Sequence, residues 1–153
     1  MKPAQVVRPA RSTDAVAIAR LIRQAKADAM PWLAVPHTLE EDEAWVAGVL
    51  LPGHDVTVMT ERDTVVAVLA VSPGWVDQLY VATSEQGRGL GSRLLTVAQD
   101  ADAAGLQLWT FQRNTRAREF YERHGFIETR RTDGDNEECE PDVLYRWEGR
   151  PPA

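Results

Sequence analysis

Gln86-Gly87-Arg88-Gly89-Leu90-Gly91 is the stretch of this 153-residue chain with the plainest chemical meaning. Three glycines at alternate positions let the backbone turn tightly and leave no Cβ in the way of a ligand. An apolar strand-like run precedes the loop and a helix-like run follows it. The loop therefore presents the first amides of a helix, and its positive dipole end, to whatever lies in front. Phosphate oxygens suit such a site, and the Arg88 guanidinium would add a charge-assisted contact. The competing reading is a glycine turn that only packs a helix against a strand. Two familiar phosphate loops do not fit. A P-loop requires Lys and then Ser or Thr after its last glycine, whereas Ser92 and Arg93 follow Gly91. The dinucleotide fingerprint requires two residues between its second and third glycines, and here only Leu90 separates them. It also requires an acidic residue near the end of the next strand, where Phe111 and Gln112 stand.

The elements that must position this loop are legible around it. Residues 5–8 read as a first strand closed by Pro9, and Ser12 or Thr13 supplies a hydroxyl to cap a helix. Ala15, Ile18, Leu21, Ile22 and Ala25 recur at helical spacing, and Pro31 ends that run. Thr38 and Glu41 form a capping box for a second helix running to about Leu50, stopped by Pro52 and Gly53. Residues 55–60, 65–71 and 75–81 read as three strands joined by turns. Leu90, Leu94, Leu95, Ala98 and Ala101 mark the helix behind the loop, Gly105 stops it, and residues 106–111 form the next strand. A strand, a crossover helix and a strand predict a parallel pair. Residues 115–124 make a short helix with Gly125 as a left-handed cap, and strands at 126–130 and 143–147 flank an acidic loop. The expected fold class is α/β (mixed α+β): a mixed, mostly antiparallel sheet of about seven strands with about four helices on its faces. One domain spans residues 1–149, and residues 150–153 form a tail expected to fray.

Composition narrows the partners. One cysteine, Cys139, excludes an internal disulfide framework and a multi-cysteine metal site, and favours a reducing compartment. His37, His54 and His124 lack ligand spacing, so no metal is expected. The first ten residues carry no long apolar run and nothing resembles a membrane helix, so a cytoplasmic location is expected. With a net charge of −6 and no basic stripe, nucleic acid is not an expected partner.

The loop resembles the acyl-CoA loop of the GNAT superfamily of N-acetyltransferases, with Gln86, Gly89 and Gly91 at the characteristic positions. Asp77-Gln78-Leu79-Tyr80-Val81 is similar to the strand before that loop. Asn114, Ala117, Phe120, Tyr121, Gly125 and Phe126 are similar to the stretch that follows it. The resemblance covers about residues 75–127 and implies acetyl-CoA as cofactor. It further implies that Gly87, Arg88, Gly89, Leu90, Gly91 and Ser92 hold the pyrophosphate, and that Leu79, Tyr80 and Val81 pair with the pantetheine arm. The amide of Leu79 would face the thioester oxygen, where charge builds up. Asn114 and Ala117 would line the same arm, and Asn114 equally suits a helix N-cap.

By the same resemblance, Tyr121 is the general acid that protonates the leaving thiolate; without it, Phe120 and Tyr121 would read as core aromatics. Asp77, on the strand beside the thioester, is the first candidate for general base, where burial would raise its pKa; a structural acceptor is the other reading. Glu137 and Glu138, in the acidic loop, are the next candidates and suit a cationic acceptor, although charge runs usually mark solvated loops. Trp32, Trp45 and His37 fall in the region that shapes the acceptor pocket in this family, and they equally suit the core or a dimer face. Cys139 stands between Glu138 and Glu140, which disfavour a thiolate, so direct attack in a ternary complex is expected over an acyl-enzyme. The implied activity is acetyl transfer to a primary amine of a small molecule or peptide, and a homodimer is in keeping with the family. Two other functions compete: a catalytically inactive CoA-binding sensor, and a nicotinamide-dependent oxidoreductase, which the glycine spacing disfavours.

Overall fold

The computed structural model describes residues 4–151. Its centre is a seven-stranded sheet in the order β1-β2-β3-β4-β5-β7-β6. The strands are β1 (Gln5–Pro9), β2 (Asp55–Glu61), β3 (Thr64–Ser72), β4 (Trp75–Val81), β5 (Leu106–Phe111), β6 (Ile127–Arg131) and β7 (Asp142–Trp147). All neighbours pair antiparallel except β4 and β5.

Strand β3 shows why the sheet carries helices on both faces. Val66 to Ala70 are all buried, so each face of the strand meets apolar cover. Val68 and Ala70 face α1 (Ala15–Ala29), whose Ile18, Leu21, Ile22 and Ala25 form its buried stripe. Ala67 and Leu69 face the other way, into a core built from Leu90, Leu94, Leu95 and Ala98 of α4 (Leu90–Ala101) with Leu108, Phe126 and Tyr145. Among the described residues no helix is long and apolar enough to cross a membrane.

The first helix is capped differently from expectation. Ser12–Asp14 form a single 3-10 turn, and the Asp14 carboxylate, not a hydroxyl, ties it. Asp14 accepts from the Arg11 amide at 2.7 Å and from the Arg8 guanidinium at 2.8 and 3.0 Å. Only a carboxylate can take a bidentate guanidinium and an amide at once. Arg8 is the leading cause that holds the Asp14 carboxyl below its ordinary range. The folded value lies below the unfolded one, so the contribution is complete above about pH 4 and is lost as pH falls through the folded value. Asp14→Ala is expected to lower stability by about 2–3 kcal/mol at pH 7. Urea unfolding at pH 7 and at pH 3 checks this, with a smaller difference between variant and parent at the lower pH.

The Thr38 capping box forms as expected: Thr38 Oγ1 accepts from the Glu41 amide at 3.2 Å, and Glu41 Oε1 accepts from the Thr38 amide at 2.9 Å. The helix beyond it is not uniform. α2 (Leu39–Trp45) passes through a π-helical turn, Val46–Leu50, into the closing turn α3 (Leu51–Gly53), which accommodates Pro52. The parallel pair is the larger departure. β4 and β5 share one registered pair, Trp75 with Gln107, and the Gln107 amide donates to the Gly74 carbonyl at 2.8 Å. Beyond that point they part. β4 also bulges: Gln78 opposes Ala70 and Val76 opposes Val71, so Asp77 has no partner. A bulge bends its strand, and here it accompanies the opening between β4 and β5. Of the tail, residues 152 and 153 lie outside the described residues, while the Arg150 amide donates to the Ala103 carbonyl at 2.9 Å.

Candidate active site

The split between β4 and β5 leaves backbone groups without a strand to pair with. The Ala82 amide donates to the Val66 carbonyl, so the alternate residues Leu79 and Val81 turn their N–H and C=O groups away from β3. The Val81 carbonyl is met by Gln86 Nε2 at 3.2 Å, which anchors the glycine loop to the strand. Gly87 and Gly89 have positive φ angles of 82° and 79°, a conformation natural to glycine. A Cβ at either would meet nothing within 4 Å, so the loop borders open space. Gly89 caps α4, and the amides of Leu90, Gly91 and Ser92 begin its first turn.

That space is a cleft of about 600 Å³. Leu79, Tyr80, Val81, Gln86, Gly87, Gly89, Leu90, Gly91 and Ser92 line one side, and Asn114, Ala117 and Tyr121 the other. These sequence-derived candidates come together. Asn114 caps α5 (Thr115–Arg123) by accepting from the Ala117 amide at 3.2 Å, and its side-chain nitrogen lies 3.5 Å from Met30 Sδ. Tyr121 packs against Phe120 and Phe126 at ring distances of 5.2 and 5.6 Å. Burial, and secondarily Tyr80, push the Tyr121 hydroxyl above its ordinary pKa, so it holds its proton throughout the neutral range.

Arg88 departs from expectation. Its guanidinium turns to Glu61, at 2.8 Å, and to Glu85, so its charge is neutralised by two carboxylates and it is not among the cleft residues. The cations that do line the cleft are Arg116 and Arg123, which take no part in an ion pair among the described residues. Their spacing of seven on α5 puts both on one face, a signal present in the sequence.

A second cavity of about 710 Å³ adjoins the cleft, and Met30 lines both. His37, Glu137 and Glu138 all border it, joining the α1–α2 connection to the acidic loop between β6 and β7. His37 Nε2 contacts Glu137 Oε1, and His37 Nδ1 lies 3.6 Å from Glu41 Oε2. Arg23 is held by Asp42 at 2.8 Å and donates to the His37 carbonyl at 3.1 Å. Hydrogen bonding to Glu137 is the main cause that raises the His37 pKa. The imidazolium contact therefore persists below the folded pKa and is lost as pH rises through it. An NMR titration of the His37 ring should give a midpoint above the ordinary 6.5, moving towards that value in Glu137→Gln.

Besides Arg88, two further candidates, Asp77 and Trp32, line neither cavity. Asp77, at the bulge, is exposed; it accepts from Ser72 Oγ at 2.7 Å and lies 3.7 Å from His54 Nε2. The bulge turns its side chain out of the groove rather than burying it beside a ligand. Trp32 instead stacks against the Arg113 guanidinium, 4.2 Å from its ring centroid, and meets Phe111 in a T-shaped pair with ring centroids 6.3 Å apart. Cys139 is exposed in the acidic loop.

Comparison with known proteins agrees with this arrangement. A family model described as an acetyltransferase (GNAT) domain matches residues 52–128, half of the chain. Among curated proteins, the Probable N-acetyltransferase Rv2775 of Mycobacterium tuberculosis is 42% identical over 52 residues. That alignment spans 33% of this chain and only 30% of the relative's length. Among solved structures, apo YjaB from Escherichia coli superposes with a TM-score of 0.79 at 22% identity, covering 96% of this chain and 99% of that one. YncA from Salmonella typhimurium, solved with its cofactor acetyl-CoA, gives 0.72 at 18% identity, covering 98% and 96%.

Proposed function

The chain belongs to the GNAT acetyltransferase family, and on that premise we propose that it transfers an acetyl group from acetyl-CoA to a primary amine held in the adjoining cavity. The observation that carries this reading is the meeting of the two spaces at Met30: a cleft edged by unpaired strand amides and a glycine-lined helix start, beside a cavity edged by carboxylates. The cleft fits the cofactor because Gly87 and Gly89 leave its mouth open and the first amides of α4 suit a pyrophosphate. Arg116 and Arg123 offer further cations for phosphate. Acetyl-CoA supplies an activated thioester carbonyl and a thiolate leaving group.

The chain's own residues do the rest. The outward amides of Leu79 and Val81 would bind the pantetheine arm, and the Leu79 N–H would donate to the thioester oxygen as it gains charge. Glu138, rather than the outward-facing Asp77, receives the acceptor ammonium and takes its proton, so that the nitrogen lone pair is free to attack. As the C–N bond forms and the C–S bond breaks, Tyr121 Oη would donate to the leaving sulfur, the acylated nitrogen would release its second proton to solvent, and Tyr121 and Glu138 would return to their starting protonation by exchange with solvent.

A panel of primary amines with acetyl-CoA, read by thiol release and by the mass of the product, tests this reading. Amine-dependent release with formation of the N-acetyl amide supports it. Folded protein that binds acetyl-CoA but acetylates no amine would overturn the transfer step.

A further inference from the structure

The charges around the acceptor cavity sort themselves into pairs, with two left over. Arg23 is neutralised by Asp42, and His37 by Glu137 with Glu41 beside it. Lys26 and Glu138 also line the cavity, and among the described residues neither is held in an ion pair. Both belong to the same neighbourhood. Lys26 Nζ lies 5.9 Å from the centre of the Tyr80 ring, and the Glu138 charge is felt at the Tyr80 hydroxyl. A cation and an anion that face one space without touching make a two-ended site, since each charge in a half-buried cavity gains from a partner of opposite sign. Apart from Gln78, the remaining wall is apolar, with Ile22, Met30, Leu33, Val35 and Trp45 as its larger side chains.

We infer that this cavity takes an amino-carboxylate, specifically an α-amino acid with an apolar side chain, with Lys26 Nζ holding the carboxylate, Glu138 the ammonium, and the apolar wall the side chain. The inference rests on the proposed transfer reaction and names its acceptor class. A simple amine would leave Lys26 facing it unpaired. A dicarboxylate would place its second charge against apolar side chains.

The test pairs each acceptor with its neutral counterpart: L-phenylalanine with L-phenylalaninamide, and L-leucine with L-leucinamide. The amides have inherently more reactive amines, so the quantity compared is the change that one substitution makes in each member of a pair. Lys26→Met should lower kcat/KM for the amino acids about tenfold or more, a loss of one ion pair. It should leave the amides within about twofold, and the KM for acetyl-CoA unchanged. Lys26→Arg should restore most of the loss. Binding provides a readout independent of turnover: NMR titration of the protein alone with L-phenylalanine should saturate, and Lys26→Met should weaken that binding by the same factor. Equal losses for acids and amides would overturn the inference. So would acetylation of the amides with no binding of either amino acid, an outcome that leaves the transfer reaction standing. Failure to acetylate any amine would remove both.

Discussion

Tyr121→Phe is expected to lower kcat by about 100- to 1,000-fold, the range for loss of a positioned general acid. The KM for acetyl-CoA should change by less than about threefold, because the ring stays packed against Phe120 and Phe126 while only the hydroxyl goes. Burial keeps the proton on this hydroxyl well into the alkaline range. The parent enzyme should therefore show no loss of rate from this group up to about pH 10, the ordinary limit of a tyrosine. Steady-state kinetics across pH 6–10 on both proteins check this. A variant that keeps the parent's kcat would take Tyr121 out of the chemistry.

The second large effect concerns the donor cleft. Gly89→Glu should weaken acetyl-CoA binding by about 100-fold or more, since a carboxylate in the open space beside the first amides of α4 opposes a pyrophosphate at a cost of several kcal/mol. Gly89 also has positive φ, so backbone strain accompanies any side chain. Gly89→Asn separates the two effects, because asparagine tolerates that conformation and carries no charge. Its affinity should fall by less than about tenfold. Equal losses in both variants would mean that loop geometry alone, and not the anion site, had been disturbed.

The strand and helix boundaries were legible because they follow local rules. The buried stripe of α1, the Thr38 capping box and the left-handed Gly125 all depend on residues within a few positions of one another. The glycine loop is legible from its own residues, and Asn114 and Tyr121 through their resemblance to the GNAT pattern; all three converge on one cleft. The rest depended on contacts distant in sequence. Arg88 looks like an anion ligand until Glu61, on β2, is placed beside it. Asp77 looks like a buried base because a strand's alternation hides the bulge that turns it outward. The approach of His37 to Glu137 links positions 100 residues apart, and no pattern in either segment announces it. The strand–helix–strand order predicts the parallel direction of β4 and β5, yet their early separation, which makes the cleft, is a tertiary outcome.

Acyl-CoA is expected to occupy the cleft between β4, the glycine loop and α5. Calorimetric titration of acetyl-CoA into the parent protein tests this. One saturable site per chain, with a Kd in the range of about 1–100 µM, is the predicted result. Folded protein that takes up no acetyl-CoA would contradict the claim and leave the glycine loop as a turn that packs α4 against the sheet.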